Sequence, residues 1–167
     1  LKHYAFVDVL CIATGFLLRV VAGSLAIDVA ISSWLLICTF LLALFLGLGK
    51  RKHEYVALHQ SGTGQARKVM AQYRLRHLNG ALWLTGLLTI ASYALYSLAP
   101  ETTERFGTPL LPVTIVFIAF GVLRFVKLID LHDAESPTEE MVKDVPFVVN
   151  AFLWVGTVIV VLYHAAG

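Results

Sequence analysis

Apolar positions in this chain fall in blocks. Residues 7–27, 31–49, 81–99, 110–129 and 147–163 are near-continuous apolar runs, and the polar residues gather between them. A helix needs about 20 mainly apolar residues to cross a bilayer, because lipid offers nothing to hydrogen-bond a backbone that does not satisfy itself. The pattern therefore predicts five spanning helices in an all-α, polytopic transmembrane bundle, a single membrane domain over residues 1–167. The longest polar connection, residues 50–80, reads as a basic loop. A short link around Asp28 and the loops "APETTERFGTPLLP" and "SPTEEMVKD" make the other turns.

Composition agrees and narrows the class. The chain is 58% hydrophobic and only 14% charged, against roughly 25% charged in soluble domains, which marks an integral membrane protein. Its net charge is +2, and its cations sit beside membrane runs, so no nucleic-acid partner is expected. All but two of the 13 lysines and arginines, Arg19 and Arg105, fall before the first run, in the second connection, or between the last turns of the fourth run and the start of the fifth. The positive-inside rule puts those parts in the cytoplasm. Cys11 and Cys38 lie in apolar runs at no metal-ligand spacing and read as small buried hydrophobes. The chain opens at Leu1 with a run close behind, which leads us to expect an upstream part.

Within the first run, a rotation of 100° per residue places Asp8, Gly15, Arg19 and Ala26 on one face. Arg19 lies about 16 Å along the axis from Asp8, near mid-membrane, where an arginine costs roughly 2.5–3.5 kcal/mol. Such a stripe must face a bundle interior or a wet cavity, and Arg19 is either paired structurally or a cavity residue. In the fourth run Arg124 and Lys127 are expected to snorkel to headgroups. Asp130, His132 and Asp133 are spaced too awkwardly to converge on a metal. Ser136, Pro137 and Glu139 form a capping box at a helix start.

The stretch "ALFLGLGKRKHEYVAL" leads from the second run into the basic loop. There "HQSGTGQ" reads as a hinge, and "ARKVMAQYRLRHL" suits a helix lying at the membrane surface among anionic membrane lipids. Lys50, Arg51 and Glu54, at spacings of four and three, allow plain surface pairing. The same spacing presents two cations and a carboxylate together at the bundle mouth. The cations can clamp phosphate oxygens, and the carboxylate can take the Mg2+ that accompanies diphosphate. Periodicity does not choose between these readings.

Three stretches bring a family into view: "LKHYAFVDVLCIATGFLLRVVAG", "SSWLLICTFLLALFLGLGKRKHE" and "LRFVKLIDLHDAESPTEEMVKDVPFVVNAFLWVGTVIVVLY". In order and spacing they resemble the C-terminal half of a UbiA-type prenyltransferase, and within that superfamily the decaprenyl-phosphate phosphoribosyltransferase branch. The resemblance implies the last five of nine helices. It also implies a lipid-accessible cavity open to the cytoplasm in a bacterial or archaeal plasma membrane. There a polyprenyl phosphate would attack phosphoribosyl diphosphate and release pyrophosphate, with Mg2+ assisting. The family's acidic motif N-D-x-x-D-x-x-x-D does not occur here, so the chain alone is expected to be inactive.

Residue by residue, Lys2 resembles the lysine of the family's Y-x-x-x-K element. Lys50, Arg51 and Glu54 resemble a K-R-x-x-E signature standing where other members carry a second aspartate-rich motif. Asp8 and Arg19 match the branch's pattern. The resemblance thus implies Lys2, Lys50, Arg51 and Arg19 on phosphate or diphosphate, and Glu54 and Asp8 on metal. It leaves the catalytic residues unspecified. Two alternatives remain. One is prenyl transfer from a prenyl diphosphate to an aromatic or other small acceptor. The other is a non-enzymatic transporter half, with Asp8 and Arg19 on its path.

Overall fold

A computed structural model of the chain describes residues 4–29, 31–59, 65–129 and 137–166. Among them every regular element is helical. The spanning helices are α1 (Tyr4–Ala26), α2 (Ser33–His59), α3 (Gln65–Leu98), α5 (Ile115–Ile129) and α7 (Val145–Ala166). The short α4 (Pro100–Phe106) and α6 (Pro137–Lys143) lie between them, with a 3-10 turn, Leu111–Thr114, leading into α5. Five of these segments are long and apolar enough to cross a membrane: Val7–Ala26, Ser33–Val56, Leu75–Leu98, Leu111–Ile129 and Val145–His164. They coincide with the five apolar blocks of the sequence.

The ends of the helices have local causes. At the end of α1, Asp28 takes a left-handed conformation with φ 52°, which an aspartate tolerates better than most side chains. This lets the Val29 amide reach back to the Ser24 carbonyl at 3.1 Å and the Asp28 amide to the Leu25 carbonyl at 3.4 Å, closing the helix in a Schellman motif. The chain then reverses into α2. At the start of α7, Asp144 caps the helix by accepting the Phe147 amide at 2.8 Å, with Pro146 in the first turn where its missing donor costs nothing. Pro137 begins α6 as its position in the capping box requires. Ser136 lies outside the described residues.

One expectation fails in α3. The basic stretch beginning at Ala66 does not lie apart as a surface helix: it runs without interruption into the third span, in one helix of 34 residues. That is about 51 Å at the usual rise, well beyond a hydrocarbon core of roughly 30 Å, so the polar end continues out of the apolar segment. Gly80 is the only glycine or proline near the junction, and an isolated glycine weakens a helix without ending it. The "HQSGTGQ" hinge falls largely outside the described residues.

The core sits where α1, α2, α3 and α5 meet: Val9, Phe45, Leu48, Leu82, Val122, Phe125, Val126 and Ile129. The rings of Phe45 and Phe125 are tilted at 5.0 Å between centroids. Two glycines in "LGLGK" let α2 approach both neighbours. A Cβ on Gly47 would stand 2.8 Å from Val9 of α1, and one on Gly49 would stand 2.6 Å from Phe125 and 2.7 Å from Ile129 of α5. Membrane helices gain little from burying apolar surface away from lipid, so such close approach is what dispersion packing needs. Several polar groups of the spans satisfy one another. The Tyr93 and Thr114 hydroxyls lie 2.8 Å apart, the Trp154 indole donates to Tyr93 at 3.4 Å, and Asn150 donates to the Phe117 carbonyl at 3.0 Å. Cys38 is half-buried and donates to the Ser92 hydroxyl, whereas Cys11 is exposed, contrary to its reading as buried. Both thiols are free.

Candidate functional site

Because α1 and α2 form an antiparallel hairpin, the first turns of α1 face the last turns of α2. Asp8 on α1 thereby meets Arg51 on α2. One guanidinium Nη donates to Asp8, and the other donates to Glu54 Oε2 at 2.9 Å, one turn further along α2. The three side chains retain 52%, 32% and 41% of their exposure, for Asp8, Arg51 and Glu54 respectively. The cluster is thus open at the mouth of the bundle. Successive residues of a helix point about 100° apart, and this divides "KRKHE": Lys50 is exposed, Arg51 turns to α1, and Lys52 and His53 are buried.

The sequence allowed either surface pairing of Arg51 with Glu54 or a shared ligand site. The structure shows the pairing and adds Asp8, whose partnership with Arg51 spans 43 residues and has no signature in local spacing. Lys2 lies outside the described residues, as do Asp130, His132 and Asp133. Among the described residues no three histidine, cysteine, aspartate or glutamate side chains gather as metal ligands do. The two carboxylates in the cluster are those of Asp8 and Glu54.

Arg19 does not join this cluster. It lies toward the closed end of the hairpin, exposed into a cavity of about 570 Å³ between α1, the start of α2, the end of α3 and α4. Its guanidinium carbon stands 5.6 Å from the Phe16 ring centroid. The expected common face of α1 is visible here, since a Cβ on Gly15 would be 3.6 Å from an Arg19 Nη. Arg19 and Asp8 thus share a face of α1 without sharing a cluster of side chains.

Arg124 corrects another expectation. It does not snorkel free. Its Nε and Nη2 hold Asp144 at 3.0 and 2.5 Å, a two-pronged pair with Asp144 only 10% exposed. The Arg124 guanidinium, helped by the Phe147 amide and Lys127, holds the Asp144 carboxyl below its ordinary range against the opposing effect of desolvation. The signal was present in "KDVPFVV", an aspartate just before a proline and an apolar run, the pattern of a helix cap. Lys127 is exposed, as expected.

No family model matches the chain. Among curated proteins it is similar to a decaprenyl-phosphate phosphoribosyltransferase of Corynebacterium glutamicum, 26% identical over 162 residues, covering 97% of this chain and 48% of that protein. A protein of the same name from Mycolicibacterium smegmatis is 27% identical over 171 residues, with 99% and 54% covered. One from Mycobacterium tuberculosis is 28% identical over 162 residues, with 95% and 51% covered. The chain spans about half the length of the curated relatives it matches. The resemblance that its motifs carry is thus a similarity to the decaprenyl-phosphate phosphoribosyltransferases that extends over nearly the whole of this five-span chain.

Proposed function

We propose that this chain works in an integral membrane transferase of the UbiA type, one that moves 5-phosphoribose from phosphoribosyl diphosphate to a polyprenyl phosphate. The observation that carries the reading is the meeting of Asp8, Arg51 and Glu54, with Lys50 exposed beside them, at the open end of a membrane hairpin. The relatives are named for phosphoribosyl transfer and decaprenyl phosphate, which supports the same transferred group and lipid class.

In this reaction a phosphate oxygen of the lipid attacks the anomeric carbon of the ribose. The bond from that carbon to the diphosphate oxygen breaks, and its electron pair leaves with pyrophosphate. Negative charge therefore grows on the leaving group while the ribose carbon becomes electron-poor, and fixed cations near the leaving group lower the barrier. Lys50 offers a mobile ammonium. Arg51 offers a guanidinium already oriented by Asp8 and Glu54, with donors left over for phosphate oxygens. Lys2 is assigned to the same clamp by the resemblance. The open end of the hairpin is the cytoplasmic one in this reading.

Mg2+ takes one or two carboxylates beside substrate phosphates and keeps several waters. The donor set Asp8 and Glu54 fits that habit, and these two residues would hold the ion. When bound, it neutralises charge on the diphosphate. The chain's own contribution is to orient the diphosphate through Lys50 and Arg51 and to keep both carboxylates within reach of one guanidinium.

The test uses the complete membrane protein in detergent, with phosphoribosyl diphosphate, a polyprenyl phosphate and Mg2+, and reads pyrophosphate release. Release that requires both substrates is the expected result. If phosphoribosyl diphosphate neither binds nor reacts while a prenyl diphosphate and a small acceptor do, the reading fails in favour of prenyl transfer.

A further inference from the structure

The closed end of the α1–α2 hairpin carries an arginine that the proposed reaction does not use. Among the described residues Arg19 makes no ion pair with a carboxylate, and its one charge-related contact is the Phe16 ring. A cation within a spanning segment is costly unless an anion or water meets it. The cavity it faces is lined mostly by apolar side chains such as Val20, Leu35 and Phe106, with Ser32, Glu101 and Arg105 adding polar atoms. The Ser32 hydroxyl is buried and has no hydrogen-bond partner, although a buried hydroxyl normally finds one. Ser32 stands just before α2, where a serine side chain commonly caps the helix. Its Oγ makes no such bond among the described residues.

We propose that this cavity binds the phosphodiester headgroup of an anionic membrane phospholipid, with Arg19 as its principal cation. Three observations select that ligand class. The charges facing the cavity are Arg19, Arg105 and Glu101, a net of one positive, which complements the single negative charge of a phosphodiester and leaves a monoester dianion half-compensated. The apolar walls suit acyl chains, whereas a soluble anion gains nothing from them. The site is also at the opposite end of the hairpin from Arg51, so its phosphate is a different one from that handled by the Lys50 and Arg51 cluster. The proposal is independent of the transferase reading.

The experiment is native mass spectrometry of the complete membrane protein released from nanodiscs of phosphatidylcholine containing a minor fraction of phosphatidylglycerol, counting the phosphatidylglycerol retained. Arg19→Gln should lower retention about tenfold, the scale of one charge-assisted phosphate contact. Arg19→Lys should lose less, and Gly80→Ala, with nothing within 4 Å of its new carbon, should leave retention unchanged. Ser32→Leu, which fills the cavity from its other wall, should displace the lipid as well and serves if Arg19→Gln does not yield a monodisperse protein. Retention in both Arg19→Gln and Ser32→Leu equal to that of the natural chain overturns the proposal. So does displacement of phosphatidylglycerol by equimolar farnesyl phosphate that depends on Arg19, since Arg19 would then belong to the site of the substrate lipid.

Discussion

The two ends of the α1–α2 hairpin treat the same side chain in opposite ways. At the open end Arg51 is gripped by Asp8 from one helix and Glu54 from its own. At the closed end Arg19 rests on a phenyl ring and faces a cavity. A charge in a membrane chain is interpreted by its counter-charge: a paired arginine is a positioned tool or a strut, and one with no carboxylate among the described residues leaves room for a ligand.

The largest expected effect is at the open end. In the complete protein, Arg51→Ala should lower the rate of pyrophosphate release roughly 100-fold, as loss of one preplaced donor commonly does. Lys50→Ala should follow with a smaller loss. If the melting temperature in detergent falls while turnover stands, Arg51 is a strut and the contrast between the two ends is one of packing alone.

Next comes the packing that holds the open end in place. Gly49→Val puts branched carbon where Phe125 and Ile129 already stand. It should destabilise by about 1–3 kcal/mol, visible as an earlier thermal loss of the monodisperse peak. Gly80→Ala, with nothing within 4 Å of the new carbon, should not destabilise at all.

Arg124 is the paired arginine that no substrate reading needs. Asp144→Ala removes the cap of α7 and leaves Arg124 without that carboxylate. It should cost about 1–2 kcal/mol and leave retained phospholipid unchanged, whereas Arg19→Gln does the reverse.

The smallest effect concerns pH. The Asp144 carboxyl is depressed in the folded protein, so its stabilising contribution is complete above the unfolded value, about 3.9, and is lost as pH falls through the lower folded value. The gap in melting temperature between the natural chain and Asp144→Asn should therefore be constant from pH 8 to pH 5. It should narrow only in strongly acidic buffer. A gap that narrows near neutrality would show that Arg124 does not hold Asp144 as described.

By itself the sequence determined the five spans, because the cost of an unsatisfied backbone in lipid leaves an apolar block of such length little choice but a helix. It also determined the turn at Asp28 and the start of α6 at Pro137, which depend on neighbours within a few residues, and it allowed the pairing of Arg51 with Glu54 without requiring it. The continuity of α3 was misread because a change from basic to apolar composition marks a change of solvent, not a break in hydrogen bonding.

Only the tertiary structure decided which residues meet across helices. Asp8 reaches Arg51 across the α1–α2 contact that Gly47 keeps close, and Arg124 reaches Asp144 across α5 and the start of α7. Asp8 and Arg19 share a face of α1 but lie about 16 Å apart along it, so Asp8 meets the last turns of α2 while Arg19 faces the cavity by its first.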